Sequence, residues 1–184
     1  MTAQAMEKIF INGREHSMAS EPLASYLSKL KEKPKLIFPS TACWRGYYGT
    51  WEIKDDKLYL IAFEGYTANL SERKYWEVGM DFIFPNQKRV FAEWFSGEIR
   101  VPLGDMLDYV HGGYLSSFEK DMFLEFKNGE LIGQRTVDNI LEAAKELINR
   151  KKEIVPEKKI NTKKKSLFFK ILDFLKIKYH YNAF

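Results

Sequence analysis

The sequence predicts an α+β domain whose main body is an antiparallel β-sheet or open barrel built from hairpins. Three observations carry this expectation. Two Asn-Gly pairs, Asn12-Gly13 and Asn128-Gly129, each separate alternating runs. Asn-Gly suits the type I′ two-residue turn, because both central residues need positive φ. Residues 35–133 consist mostly of short alternating stretches broken by turn residues, the pattern of half-buried strands. The repeated strand–helix alternation of a parallel α/β sheet is absent.

Taken in order, EKIFINGREHSMA alternates about the first Asn-Gly pair and predicts a hairpin. In SEPLASYLSKLK, Ser20 can cap, Pro22 suits the first turn, and Leu23, Tyr26, Leu27 and Leu30 share a face. This predicts a short N-terminal helix that stops before Pro34. GYYGTWEI and KLYLIAF flank the polar turn Lys54-Asp55-Asp56-Lys57, and MDFIF and RVFAEWF flank Pro85-Asn86-Gln87. GEIRVP reads as a strand ending at Pro102. DMFLEF and ELIGQRTV flank the second Asn-Gly pair, which sets Lys127 opposite Glu130 and Phe126 opposite Leu131. VDNILEAAKELINRKK has helical spacing through Ile140, Leu141, Ala144, Leu147 and Ile148, predicting a helix near 138–150 with Asp138 as its cap.

Charge divides the chain. Residues 1–150 carry 19 Lys+Arg against 22 Asp+Glu, and residues 151–184 carry 10 against 3. The organisation this predicts is a single β-rich domain over 1–150, a charged linker over 151–165 and a basic amphipathic tail helix over 166–184. In the tail, Lys163, Lys164 and Lys165 precede the apolar Phe168, Phe169 and Phe174. Such a segment is too short and charged to span a bilayer, but it suits an anionic membrane surface or the groove of a partner. The acidic balance of the domain speaks against nucleic acid as a partner. A single cysteine permits no intrachain disulfide, which fits a reducing compartment. Neither a signal peptide nor a transmembrane run is evident. The expected location is cytoplasmic, with peripheral membrane attachment through the tail as a further expectation.

The richest stretch for chemistry is STACWRGYYGTWEI. Trp44, Arg45, Tyr47 and Tyr48 are of the types that dominate interface hot spots, and they are the candidate binding residues. Strand alternation places Trp51 and Ile53 on the face opposite Tyr48, Thr50 and Glu52. Cys43 is a weak candidate nucleophile, with His111 of DYVHGGY as its base and Arg45 favouring the thiolate. Free cysteine is among the most buried residue types, so Cys43 reads first as a packed residue. Glu93 and Glu98 flank WFSG, and Asp105, Asp108 and His111 are three apart, a spacing that could ligate metal on a helix. Solvated carboxylates on a short helix are the simpler reading of that trio, and no metal is expected there. P-loop, dinucleotide-binding and nucleophile-elbow motifs are absent, and no cofactor is expected.

Three phrases, STACWRGYYGTWEIKDDKLYL, RVFAEWFSGEIRVP and YVHGGYLSSFEKDMFLEFKNGELIG, resemble a set of uncharacterised bacterial proteins with no established activity. The likeness covers roughly residues 35–135 and implies a bacterial protein; no residue role comes with it. The residues themselves predict a small binding module rather than an enzyme. It would occlude a protein partner through the aromatic–Arg surface, as an immunity-type protein neutralises a toxin. An enzyme using Cys43 and His111, and a peripheral membrane protein held by its tail, are the alternative expectations.

Overall fold

In the computed structural model, each Asn-Gly pair makes the hairpin that its turn chemistry dictates. The structure describes residues 2–69 and 74–154. Strands β1 (Glu7–Ile11) and β2 (Arg14–Met18) pair across Asn12 and Gly13, both at positive φ. Helix α1 (Pro22–Lys29) follows, with its proline in the first turn and Leu23 fully buried. Strands β3 (Tyr47–Lys54) and β4 (Lys57–Asn69) then pair antiparallel across Asp55-Asp56. β5 (Lys74–Val78) and the two-residue β6 (Val90–Phe91) both pair with β4. β7 (Gly97–Asp108), β8 (Ser117–Lys127) and β9 (Glu130–Asp138) form an antiparallel meander. In its second hairpin Lys127 opposes Glu130 and Phe126 opposes Leu131, the register that the alternation predicts.

The described strands form one mixed, open sheet in the order β2-β1-β3-β4-β9-β8-β7. Nearly every pairing is antiparallel; β1 runs parallel to β3, with Ile9 beside Trp51. The chain makes this crossover through β2 and α1, so a parallel pair arises without the usual strand–helix repeat. Met18 at one extreme of the order and Ile99 and Val101 at the other lie in the same buried cluster as Trp51, Leu60 and Leu124. The sheet therefore curls around one core. Among the described residues, its edges meet at a single backbone bond, Ala19 N–H to the Arg100 carbonyl at 2.8 Å, with no ladder to close a barrel.

Several local expectations are corrected. Ser20 does not cap α1: Glu21 holds that position without a side-chain bond, and Ser20 Oγ accepts the Arg100 N–H at 3.0 Å. MDF is a single 3-10 turn, and only Val90–Phe91 of RVFAEWF pairs as strand. The aromatic residues there serve a cluster instead: Tyr26 of α1 meets Phe84 and Trp94, and the Trp94 indole donates to the Pro22 carbonyl at 3.2 Å. β7 does not end at Pro102. Pro102 pairs with Asp121 on a strand at the end of the sheet order, where a missing N–H is tolerated. The strand continues past a register shift that includes Gly104, whose φ of 77° favours glycine. Asp105 and Asp108 consequently lie on a strand, not on a short helix.

Among the described residues, those up to Glu142 form one compact unit and those from Ala143 a second. Helix α2 spans Asn139–Ile154, a little longer than the predicted helix and into the predicted linker. Asp138 caps it as expected, accepting the Leu141 N–H at 3.0 Å. Among the described residues, no helix is long and apolar enough to cross a membrane.

Candidate functional site

The segment before β3 turns tightly. Cys43 N–H donates to the Ser40 carbonyl, Gly46 N–H to the Cys43 carbonyl, and Gly46 takes a φ of 78°. This turn sends successive side chains in opposite directions. Trp44 is half exposed at 50%, whereas the Arg45 side chain is only 5% exposed. Tyr47 is 2% exposed and Tyr48 is partly covered, so the four predicted binding residues do not share one surface.

Arg45 is the hub of a buried network. Its Nε lies 3.0 Å from Glu7 Oε1, and both side chains are almost wholly out of solvent. The N–H is not directed at that oxygen, so this contact is a charge pair rather than a formed hydrogen bond. Nη1 donates to Tyr114 Oη at 2.9 Å and lies 3.5 Å from Glu21 Oε1. Tyr114 Oη in turn donates to Glu21 Oε1 at 2.8 Å. The Trp51 indole donates to Glu7 Oε2 at 2.6 Å. The guanidinium also sits 5.3 Å from the Tyr48 ring centre and 5.6 Å from that of Tyr47.

Burial dominates the electrostatics of Glu7, raising its pKa from 4.5 to about 7. The Arg45 charge, the Trp51 hydrogen bond and the Gly49 backbone only partly oppose this. Burial works against the charged form of Arg45 too, but the neighbouring charges, Glu7 foremost, reverse it and raise the pKa. Glu7 is therefore the titrating member of the pair. Burial likewise raises the Tyr47 and Tyr114 phenols and keeps both protonated.

Gly49 makes room for this arrangement. A Cβ there meets Glu7 Oε2 at 2.5 Å and Trp51 Nε1 at 2.7 Å. Gly49→Ala accordingly breaks the Glu7–Trp51 contact and costs about 1–3 kcal/mol, measured by urea denaturation. An unchanged midpoint would mean that the site has slack that the structure does not show.

Backbone N–H donors stitch three segments together around the network. Gln4 N–H donates to the Gly113 carbonyl, Ala5 N–H to the Ala42 carbonyl, and Trp44 N–H to Gln4 Oε1. A second arginine anchors the same loop. Arg100 pairs with Asp121 through Nε at 2.7 Å and Nη2 at 3.0 Å, and donates to the carbonyls of Tyr114 and Ser116. The loop between β7 and β8 is thus fixed from beneath, while Tyr109 and Leu115 stay exposed at 58% and 71%.

The other candidates are placed as follows. Cys43 is fully buried, and its thiol donates to the Tyr47 carbonyl at 3.3 Å. His111 is exposed and its Nδ1 pairs with Tyr109 Oη at 3.2 Å, so the two weak catalytic candidates each hold a different partner. Glu98 pairs with Arg135 at 2.7 Å, while Glu93 is exposed. Among the described residues, no three His, Cys, Asp or Glu side chains gather as a metal site. Lys163, Lys164, Lys165, Phe168, Phe169 and Phe174 lie outside the described residues.

Glu7, Glu21 and Tyr114 belong to no motif. The signal for Glu7 was its position two residues before Ile9, which sets a carboxylate on the core face of β1. Comparison with family models, with curated proteins and with solved structures finds no match for this chain.

Proposed function

We propose that the protein is a binding module that occludes a protein partner. Its surface is the ground shared by Trp44, the end of β7 and the loop between β7 and β8. The observation that carries this reading is a set of large apolar side chains left exposed on scaffolded segments. Met106, Leu107, Tyr109, Leu115 and Trp44 are each between 48% and 71% exposed. The segments that bear Trp44 and Leu115 are held by buried ion pairs and backbone bonds, so little ordering entropy is lost when a partner docks. In this arrangement Trp44 faces the partner, and Arg45 supports it from within. Neutralisation of a toxin is the concrete case, and the identity of the captured partner decides it.

The test compares wild type with a Trp44→Ala, Leu115→Ser double variant as bait in native extract. Both positions are exposed, so the variant keeps its fold. A stoichiometric partner of the wild type is lost, with affinity reduced about thirtyfold or more if Trp44 is a hot spot. A folded double variant that captures the same partner equally well would remove this surface from consideration.

A further inference from the structure

The two Asn-Gly pairs share a turn and differ in their surroundings. Asn12 and Asn128 stand at φ of 51° and 50°, and Gly13 and Gly129 at 76° and 79°. Both asparagines are exposed. With no side chain on the glycine, Asn-Gly also offers the least hindered route from side-chain amide to acid. The glycine nitrogen, once hydroxide has taken its proton, attacks the asparagine side-chain carbonyl carbon. A C–N bond forms, the bond to the side-chain nitrogen breaks, and ammonia leaves with a proton from water. The cyclic imide then takes up one water and opens to aspartate or isoaspartate. The attack needs a free glycine N–H, an unengaged asparagine amide and a turn that can open.

At Asn128-Gly129 all three conditions fail. Gly129 is buried; its N–H donates to the Phe95 carbonyl at 2.7 Å and its carbonyl accepts the Leu58 N–H at 2.8 Å. A Cβ there would lie 2.6 Å from the Ala92 oxygen, so the turn is wedged against its neighbours. Ser96 Oγ accepts the Asn128 N–H at 2.9 Å and donates to Asn128 Oδ1 at 3.3 Å. At Asn12-Gly13 the same conditions are met. Gly13 is exposed, and a Cβ on it would meet nothing within 4 Å. Among the described residues, neither the Gly13 N–H nor the Asn12 side chain has a hydrogen-bond partner. β2 is mostly exposed and ends the sheet order, so the tip of its hairpin opens at little cost. We infer that Asn12 is a modification site, converted by water to aspartate or isoaspartate in the folded protein, and that Asn128 is protected. The aspartate product fits the turn: Asp55 and Asp56 already take φ of 52° and 55° between β3 and β4. Isoaspartate adds a methylene to the backbone and disturbs the register that sets Ile11 opposite Arg14, on the strand that carries Glu7.

This site is independent of the proposed protein-binding surface, and its test needs no partner. The full chain is aged at mildly alkaline pH, and conversion at each Asn-Gly pair is followed by peptide mapping with mass spectrometry. A parallel sample is aged unfolded in guanidinium chloride, where both pairs are free. The ratio of the Asn12 rate to the Asn128 rate is about tenfold or more higher in the folded sample, because Asn128 must first give up its bonds to Ser96 and that of Gly129 to Phe95. Ser96→Ala, at an exposed position, removes two of these bonds and speeds Asn128 about fivefold, with the Asn12 rate unchanged. Asn12→Asp, which stands in for one product, keeps the wild-type Tm. A rate ratio that folding leaves unchanged, a folded-state rate at Asn12 no faster than at Asn128, or an Asn128 rate indifferent to Ser96→Ala would each overturn the inference.

Discussion

Arg45→Ala destabilises the protein by about 1–3 kcal/mol, the cost of taking a charged hydrogen-bonding partner from buried polar groups while Glu7 answers by keeping its proton. The substitution leaves Glu7 out of solvent with only the Trp51 indole and the Gly49 backbone to satisfy it. It also takes from Tyr114 its charged donor and from Glu21 a nearby cation. Total stability of a domain is about 5–15 kcal/mol, so the loss is a large part of the whole and lowers the denaturation midpoint steeply. The cause is separable from mere loss of packing. Glu7→Leu combined with Arg45→Met removes both charges and keeps most of the volume, and the double variant recovers most of what Arg45→Ala loses. Equal damage from the double variant would show that packing, not the unpaired carboxylate, governs the loss.

The second large effect is a pH dependence of opposite sign to that of an ordinary surface carboxylate. Glu7 has a pKa of about 7 in the folded protein against 4.5 for the free side chain. Between these values the folded chain holds a proton that the unfolded chain has released. Stability is therefore fully present below pH 4.5 and is lost as pH rises toward 7. The slope reaches at most about 1.4 kcal/mol per pH unit, and the total is roughly 3 kcal/mol. Glu7→Gln removes this component and leaves those of the other carboxylates in place. The difference between the two stability curves, from urea titrations across the range, isolates the Glu7 contribution. A difference that stays flat with pH would mean that Glu7 titrates alike in both states.

How much of this was legible beforehand depended on the kind of constraint. Hairpin turns are local, and the Asn-Gly pairs announced both the turns and the register of Lys127 with Glu130. The Asp138 cap and the amphipathic spacing after it were equally local. Misreadings came where tertiary contacts override local pattern. Ser20 looks like a cap but is claimed by the Arg100 backbone, eighty residues away in sequence. Phe84 and Trp94 look like strand residues but stack at 5.6 Å in a cluster on α1. Pro102 looked like a terminus because a proline is costly inside a sheet; a strand at the end of the sheet order removes that cost.

The site was visible in one residue and hidden in the rest. Arg45 stood out by its aromatic neighbours, but strand alternation begins only at Tyr47, and nothing local told that the turn at Gly46 aims Arg45 inward and Trp44 outward. Glu7, Glu21 and Tyr114 reach Arg45 from three distant segments, and only the curl of the sheet brings them together. The parallel β1–β3 pair, which sets Glu7 within reach of Trp51 and Arg45, is a topological feature that the hairpin pattern does not foretell.

Glu7 and Arg45 form a buried pair that ties three segments together. Its most direct test is the titration of Glu7 itself, followed by carbon NMR of the side-chain carboxyl in glutamate-labelled protein and assigned by Glu7→Gln. The expected midpoint is near pH 7, set by burial against the pull of Arg45. A midpoint near 4.5, the value of a solvated glutamate, would contradict the buried pair and the support it gives to Trp44 and its neighbours.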